Sequence, residues 1–94
     1  MYTLIVNIEF DPAKNEANIA ARGISFEQAA DFDFDSAFIK VDTREDYGET
    51  RYQALGYIGG RLHYLVFTAR NDRLRIISLR KANAREVKLY DQAT

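Results

Sequence analysis

Apolar and polar residues alternate at the start of the chain. Over residues 2–10 every second position is apolar, which predicts a first β-strand with one buried face. The residues on that face are Tyr2, Leu4, Val6, Ile8 and Phe10.

Two helices are predicted next. Asp11 is a suitable N-cap, and Pro12 suits the first helical position, where its missing N–H costs nothing. Gly23 is a natural left-handed stop for this helix. Residues 25–28, Ser-Phe-Glu-Gln, form a capping-box pattern that predicts a second short helix to about Asp33.

The second half of the chain predicts a meander of strands followed by a helix. Two-residue turn signals at Gly59-Gly60 and Asn71-Asp72 separate apolar stretches and predict hairpins. A capping box over residues 83–86 opens a last helix to about Tyr90. The predicted strands cover residues 37–41, 50–58, 62–68 and 74–80.

This order of elements favours a single α+β domain spanning residues 1–94. We expect both early helices to pack on one face of a sheet with three or four antiparallel strands after the first. The opposite face is then expected to be open, with its charged side chains available to a ligand.

Charge is divided unevenly along the chain. The net charge is −1, but residues 1–47 carry ten acids and four bases (−6), whereas residues 48–94 carry four acids and nine bases (+5). Seven of the cations lie between Arg70 and Tyr90. Arginines on a rigid strand suit a phosphate-rich ligand, although a solvated basic edge strand would show the same pattern.

Several kinds of site are disfavoured by composition. The chain has no cysteine and one histidine, His63, which we interpret as structural, so thiolate and multi-histidine metal sites are excluded. Asp31, Asp33 and Asp35 are spaced two apart and are not expected to converge on a metal. No metal or other cofactor is predicted. The chain shows no signal peptide or membrane span, so we expect a cytoplasmic protein without a membrane partner.

An ordered set of short motifs covers about residues 8–91. Its first-half motifs are Phe10-Asp11-Pro-Ala-Lys14, Asn18, Gly23-Ile-Ser25-Phe26-Glu27 and Ala29. Its second-half motifs are Gly48-Glu49-x-Arg51, Gly56, Leu62, Thr68-x-Arg70, Arg75-Ile-Ile-Ser78-x-Arg80-x-Ala82, Glu86 and Tyr90. This ordered set resembles the BrnT family, the ribonuclease toxins of type II toxin–antitoxin pairs.

The resemblance implies a RelE-like fold and metal-independent cleavage of cellular RNA that inhibits translation and growth. It also implies neutralisation by a BrnA-like antitoxin, a ribbon-helix-helix DNA-binding protein, in a possible hetero-oligomer. Two positions depart from the family pattern: Phe10 replaces a tryptophan and Arg22 replaces a histidine. Phe10 can still stack on a base, whereas Arg22 can hold a phosphate but is a poor proton shuttle.

Metal-free RNA cleavage needs a base for the 2′-hydroxyl and positive charge around the phosphorane. Glu49 is the candidate base, with Arg51 two residues on along the same strand face. Without the resemblance, a surface Glu–Arg pair worth under about 1 kcal/mol is the favoured interpretation of these two residues. The family pattern favours Arg70 and Arg80 as charge stabilisers. The expected catalytic residues are therefore Glu49, Arg51, Arg70 and Arg80.

Substrate binding is assigned to Phe10, Lys14, Arg22 and Arg75. Lys14 fits a phosphate contact and a solvated helix lysine equally well, and Arg75 is either structural or a grip on the RNA backbone. Strict alternation would put Arg73 and Arg75 on one sheet face and Ser78 with Arg80 on the other. The alternative function is a catalytically weak toxin homologue that binds a DNA-binding antitoxin or repressor.

Overall fold

A computed structural model describes residues 7–94. The α+β class and the C-terminal helix are confirmed, whereas residues 2–6 of the predicted first strand lie outside the described part. The elements are β1 (Asn7–Glu9), α1 (Pro12–Arg22), a 3-10 helix (Phe26–Asp31), β2 (Phe38–Val41), β3 (Arg51–Ile58), β4 (Arg61–Arg70), β5 (Arg73–Lys81) and α2 (Ala84–Ala93).

The helix ends follow the predicted capping chemistry. The Asp11 carboxylate accepts a hydrogen bond from the Ala13 N–H at 2.9 Å, and Pro12 occupies the first position of α1. Gly23 ends that helix with a left-handed φ of 70°. At α2 the side chains of Asn83 and Glu86 each accept from the other residue's backbone N–H, which completes the capping box. Neither of these described α-helices is long and apolar enough to cross a membrane.

The predicted second short helix is present as a 3-10 helix capped by Ser25. It ends at Asp31, slightly before the expected end near Asp33. Tertiary contacts explain the early end. Phe32 is extended and buried in the core, and the next N–H, that of Asp33, donates to the Tyr57 carbonyl of β3 at 2.9 Å. Because the Asp33 N–H bonds to the sheet, it is not available to extend the helix.

The five described strands form one mixed sheet in the order β1-β5-β4-β3-β2. β2 through β5 are a run of antiparallel neighbours, while β1 pairs in parallel with β5, aligning Ile8 with Leu74. Beyond β1, the side-chain amide of Asn18 on α1 donates to the Leu79 carbonyl at 2.9 Å. α1 is thus bonded to β5 at a position where β1 has already ended.

One face of the sheet, which we call the core face, carries Leu65, Phe67, Ile76 and Leu79. It packs against the segment after α1. Both early helices were expected to cover this face, but α1 contributes no residue to its buried cluster. Leu65 and Leu79 are fully buried there. The residues that cover it from that segment are Ile24, Phe26, Ala29 and Phe32.

The opposite face carries Tyr64, Thr68, Arg75 and Arg80, and we call it the arginine face. The prediction that it is open is only partly right. At one end α2 packs on it, where Tyr90 and Ala82 form a second buried cluster with Leu55 and Leu62. The Tyr90 hydroxyl also donates to the Ser36 carbonyl at 2.8 Å.

A β-bulge in β5 overturns the predicted split of its arginines between two faces. Ser78 pairs with Val66, but Ile76, two residues earlier, pairs with the adjacent Phe67, so Ile77 is extra. The extra residue resets the alternation. Arg75 aligns with Thr68 and Arg80 with Tyr64. Because Thr68 and Tyr64 are four residues apart on one regular strand, both arginines lie on the arginine face.

Deletion of Ile77 is therefore expected to be tolerated. It would leave Ile76 and Leu79 two positions apart and keep the flanking side chains on their present faces. Deletion of Gln53 from the regular strand β3 is the matched control, because it reverses the faces of every residue on one side of the cut. We expect thermal unfolding of the Ile77 deletion to stay cooperative while the Gln53 deletion fails to fold. Loss of cooperative unfolding in both deletion variants would contradict the bulge.

Candidate active site

Glu49 and Arg70 meet at one end of the arginine face. The Arg70 guanidinium donates to both Glu49 oxygens: Nη2 lies 2.9 Å from Oε2 and 3.1 Å from Oε1, and Nε lies 3.1 Å from Oε2. Such a fork fixes the plane of the carboxylate. A carboxylate has about four lone-pair sites, so Glu49 can still accept a further proton donor.

The chain around Glu49 is held by two local devices. Gly48 has a left-handed φ of 71°, which favours glycine at this turn. The buried Thr68 hydroxyl donates to the Thr50 carbonyl at 2.7 Å. Because Thr50 lies between Glu49 and Arg51, this bond fixes the loop-to-strand junction that carries both.

Arg51 lies beside this pair, over the ring of Tyr47. Its guanidinium carbon is 3.9 Å from the ring centroid, a cation–π distance, and its Nε is buried without a hydrogen-bond partner. The Tyr47 hydroxyl in turn donates to Asp42 at 3.2 Å. Asp42 also accepts from Arg44, with 2.6 Å between Nη2 and Oδ2. The loop before β3 therefore supplies a fixed aromatic support for Arg51.

A row of aligned residues extends the positive charge across three strands. Arg51 on β3 aligns with Thr68 on β4, which aligns with Arg75 on β5. On its other side Arg75 aligns with an acidic residue, Glu9 of β1. With Glu49 and Arg70 included, this end of the face brings together three of the four predicted catalytic residues and one predicted substrate-binding residue.

Arg80, the fourth predicted catalytic residue, lies elsewhere. It aligns with Tyr64, six residues from Arg70 along β4, or about 20 Å of strand. Its guanidinium forms a fork with Glu86 of α2, at 2.7 and 2.9 Å, and lies 4.3 Å from the centroid of the Tyr64 ring. The hydrogen bonds with Glu86 raise the pKa of Arg80 and lower that of Glu86. Arg80 is thus not placed with Glu49 and Arg70.

The remaining predicted substrate-binding residues are not gathered at this end of the face. Phe10 is half-buried and packs edge-on against Phe26, with ring centroids 5.8 Å apart. That contact ties it to the core. Lys14 and Arg22 lie exposed on α1, at its start and its last turn.

Within residues 7–94 the structure contains no cluster of three or more side chains able to hold a metal ion. Asp33 instead accepts from the Asp35 N–H and the Ser36 hydroxyl. His63 is buried with its Nδ1 2.8 Å from the Arg61 carbonyl oxygen, which agrees with the structural interpretation.

Sequence reasoning missed Asp42, Arg44, Tyr47 and Gln53. The first three lie in the stretch interpreted only as a loop. A weak signal was present there, because Asp42 and Arg44 are oppositely charged and two residues apart. Nothing in the pattern shows that Asp42 is buried or that the Tyr47 ring lies under Arg51.

Low pH is expected to remove the stability that Asp42 contributes to the loop supporting Arg51. Hydrogen bonds from Arg44 hold the pKa of Asp42 well below its usual range, so the stabilisation is present above the unfolded-state pKa of about 4. It is lost as the pH falls below that value. We expect Asp42→Asn to lower the Tm at pH 7, and this loss to shrink as the pH approaches 3. The control Asp46→Asn removes an exposed acid from the same loop. A pH-independent difference between Asp42→Asn and wild type would contradict this.

Comparison with known proteins gives one family. Residues 10–86 match the sequence model described as "Ribonuclease toxin, BrnT, of type II toxin-antitoxin system". No curated protein matches the chain significantly.

Proposed function

The chain belongs to the BrnT family of ribonuclease toxins from type II toxin–antitoxin systems, and on this premise we propose that it cleaves RNA without a metal at Glu49, Arg51 and Arg70. The observation that carries the proposal is the fork between Glu49 and Arg70, next to an arginine whose Nε is buried and unpartnered. A base held by an orienting partner beside fixed positive charge is the arrangement that this reaction needs.

In the proposed reaction Glu49 takes the proton of the 2′-hydroxyl as the 2′-oxygen attacks phosphorus. The bond from phosphorus to the 5′-oxygen then breaks, leaving a 2′,3′-cyclic phosphate and a 5′-hydroxyl. Arg51 and Arg70 stabilise the charge on the phosphorane. Because an arginine stays protonated, neither is a good acid, and a water molecule supplies the proton to the leaving oxygen.

Arg75 and Arg80 are proposed to hold flanking parts of the RNA. Arg75 lies in the same row as Arg51 and can grip the phosphate backbone. Arg80 is too far along the sheet to contact the phosphorane that Arg70 contacts. Lys14, Arg22 and Phe10 have no part in the chemical step of this proposal.

The direct test is cleavage of single-stranded RNA by purified protein in excess EDTA. We expect fragments that end in 2′,3′-cyclic phosphates and 5′-hydroxyls. Intact RNA would contradict the proposal. Fragments that appear only with added magnesium would contradict its metal-independent step.

A catalytically weak, protein-binding toxin homologue is the second candidate. Two contacts favour it: Phe10 is packed against Phe26, and both Glu49 oxygens are already occupied by Arg70. Induced expression without a partner distinguishes the two functions. Growth arrest with RNA loss supports the ribonuclease, and normal growth with soluble protein supports the binding role.

Membership of a type II family implies an antitoxin partner. We propose that this partner is a BrnA-like ribbon-helix-helix protein that binds DNA and neutralises the toxin in the cytoplasm as a hetero-oligomer. Co-expression of the neighbouring gene is expected to restore growth. Its product is expected to co-purify with this chain. Failure of both would contradict the pairing.

A further inference from the structure

A cavity of about 210 Å³ opens on the arginine face, between the sheet and α2. Its lining includes the apolar side chains of Phe38 and Leu89 and the polar side chains of Lys40, Gln53 and Tyr64, with Arg80 beside them. For scale, an engineered cavity of about 150 Å³ admits benzene. The cavity therefore has room for one planar ring.

Arg80 lines this cavity. Its guanidinium lies 4.3 Å from the Tyr64 ring centroid, and two hydrogen bonds to Glu86 orient it. Because Glu86 neutralises its charge, Arg80 contributes a stacking plane more than a free cation. Arginine planes and aromatic rings are the surfaces on which proteins stack the unpaired bases of RNA.

Gln53 supplies the means to tell bases apart. It is half-buried on β3, aligned with Val66 on one side and with Lys40 on the other. Its amide offers two donors and one acceptor, a combination that can read the edge of a base. Lys40, exposed at the rim, can contact a phosphate of the same nucleotide.

The cavity is also next to the proposed cleavage site. Gln53 and Arg51 lie on the same face of β3, two residues or about 7 Å apart. A strand of RNA whose scissile phosphate lies at Arg51 would bring its neighbouring nucleotide to Gln53.

We propose that this cavity is a base-recognition subsite, in which Arg80, backed by the Tyr64 ring, stacks the nucleobase adjacent to the cleaved bond and Gln53 selects it. The subsite rests on the proposed ribonuclease function, and it assigns Arg80 to substrate binding and Gln53 to substrate selection. It predicts that cleavage depends on one nucleotide beside the cut.

Binding of uncleavable RNA separates the subsite from the chemistry. Hexamers with 2′-O-methyl groups throughout cannot undergo 2′-oxygen attack, and fluorescence anisotropy can compare all four bases at each position. We expect wild type to prefer one base at one position by about tenfold or more. Gln53→Met, which has no amide, is expected to reduce that preference to within about threefold.

Arg80→Lys keeps the charge but removes the stacking plane, so it is expected to weaken binding of all four bases about equally, by roughly five- to tenfold. The control is Lys88→Ala, because Lys88 is exposed on α2. It should change neither the RNA affinity nor the base preference. In wild type, 5′-mononucleotides should also shift the NMR signals of the Gln53 side-chain amide, which needs no variant.

Base-independent binding by wild type, or an unchanged preference in folded Gln53→Met, would overturn the subsite. Base-dependent binding through Gln53 without any cleavage would support the subsite and reject the ribonuclease proposal. Cleavage whose base preference does not depend on Gln53 would support the ribonuclease proposal and reject the subsite.

Discussion

Glu49→Gln is expected to abolish growth arrest and to lower the rate of RNA cleavage by about 10²- to 10⁴-fold, the usual contribution of a general base. Glutamine has nearly the same shape as glutamate, and its amide oxygen can still accept a hydrogen bond from Arg70. It cannot take the proton of the 2′-hydroxyl. The measurement is single-turnover cleavage of one defined RNA at several pH values.

Glu45→Gln is the matched control, because Glu45 is exposed in the same loop. It should cleave at the wild-type rate. RNA affinity of Glu49→Gln, measured with uncleavable RNA, should be unchanged or higher because one negative charge has been removed. If Glu49→Gln cleaved within about threefold of wild type, Glu49 would be no base, and its pair with Arg70 would be structural.

The sequence was sufficient for features determined within a few residues. Asp11, Gly23 and Asn83 each act on their own helix end, and the hairpin turn at Gly59 needs only its neighbours. Local chemistry of this kind is visible in the order of residues. The hydrogen bond from Asp33 to Tyr57 that follows the 3-10 helix was not visible in the sequence, because it joins residues far apart in the chain.

The bulge is the clearest limit on what periodicity can show. Ile76 and Ile77 are identical in type, so the pattern does not reveal which is extra. The core contacts decide it, since Ile76 and Leu79 are both buried in one cluster although they are three residues apart. That single residue places Arg75 and Arg80 on one face and so changes the charge of the whole surface.

The candidate site was partly predictable for the same reasons. Glu49 and Arg51 are near neighbours in sequence, so a shared site follows from spacing. The meeting of Glu49 with Arg70 agrees with the motif set but depends on strand register. The separation of Arg80 from Arg70 was missed, because the two were grouped by the motif set. Arg70 pairs with Arg73 at the turn of the hairpin, whereas Arg80 pairs with Tyr64 near its other end.

Positive charge on the arginine face is therefore organised in two parts. At one end Arg51 and Arg75 lie on either side of Thr68, two residues along β4 from Arg70 and its partner Glu49, where charge can act on a phosphate. At the other end Arg80 is neutralised by Glu86 and lies against an aromatic ring. A strand of RNA laid across both ends would contact the proposed cleavage site at one end and the proposed base-recognition subsite at the other.

Phe26→Ala is expected to lower the free energy of unfolding by about 3–5 kcal/mol, the usual cost of removing a buried phenylalanine ring. Phe26 is only 1% exposed and lies in the main core cluster. At about 4–8 °C per kcal/mol for a domain of this size, the Tm should fall by well over 10 °C. Thermal and urea unfolding measure both quantities.

The same experiment decides the role of Phe10, whose ring meets that of Phe26 edge-on. If Phe10 is a core residue, Phe10→Ala lowers stability, and the double variant loses less than the sum of the two by about 0.5–1.5 kcal/mol. RNA affinity should then be unchanged in Phe10→Ala at a temperature where it is folded. Val87→Ala, on the exposed surface of α2, is the control and should stay within about 0.5 kcal/mol of wild type. Additive losses together with weakened RNA binding would instead show that Phe10 stacks on a base.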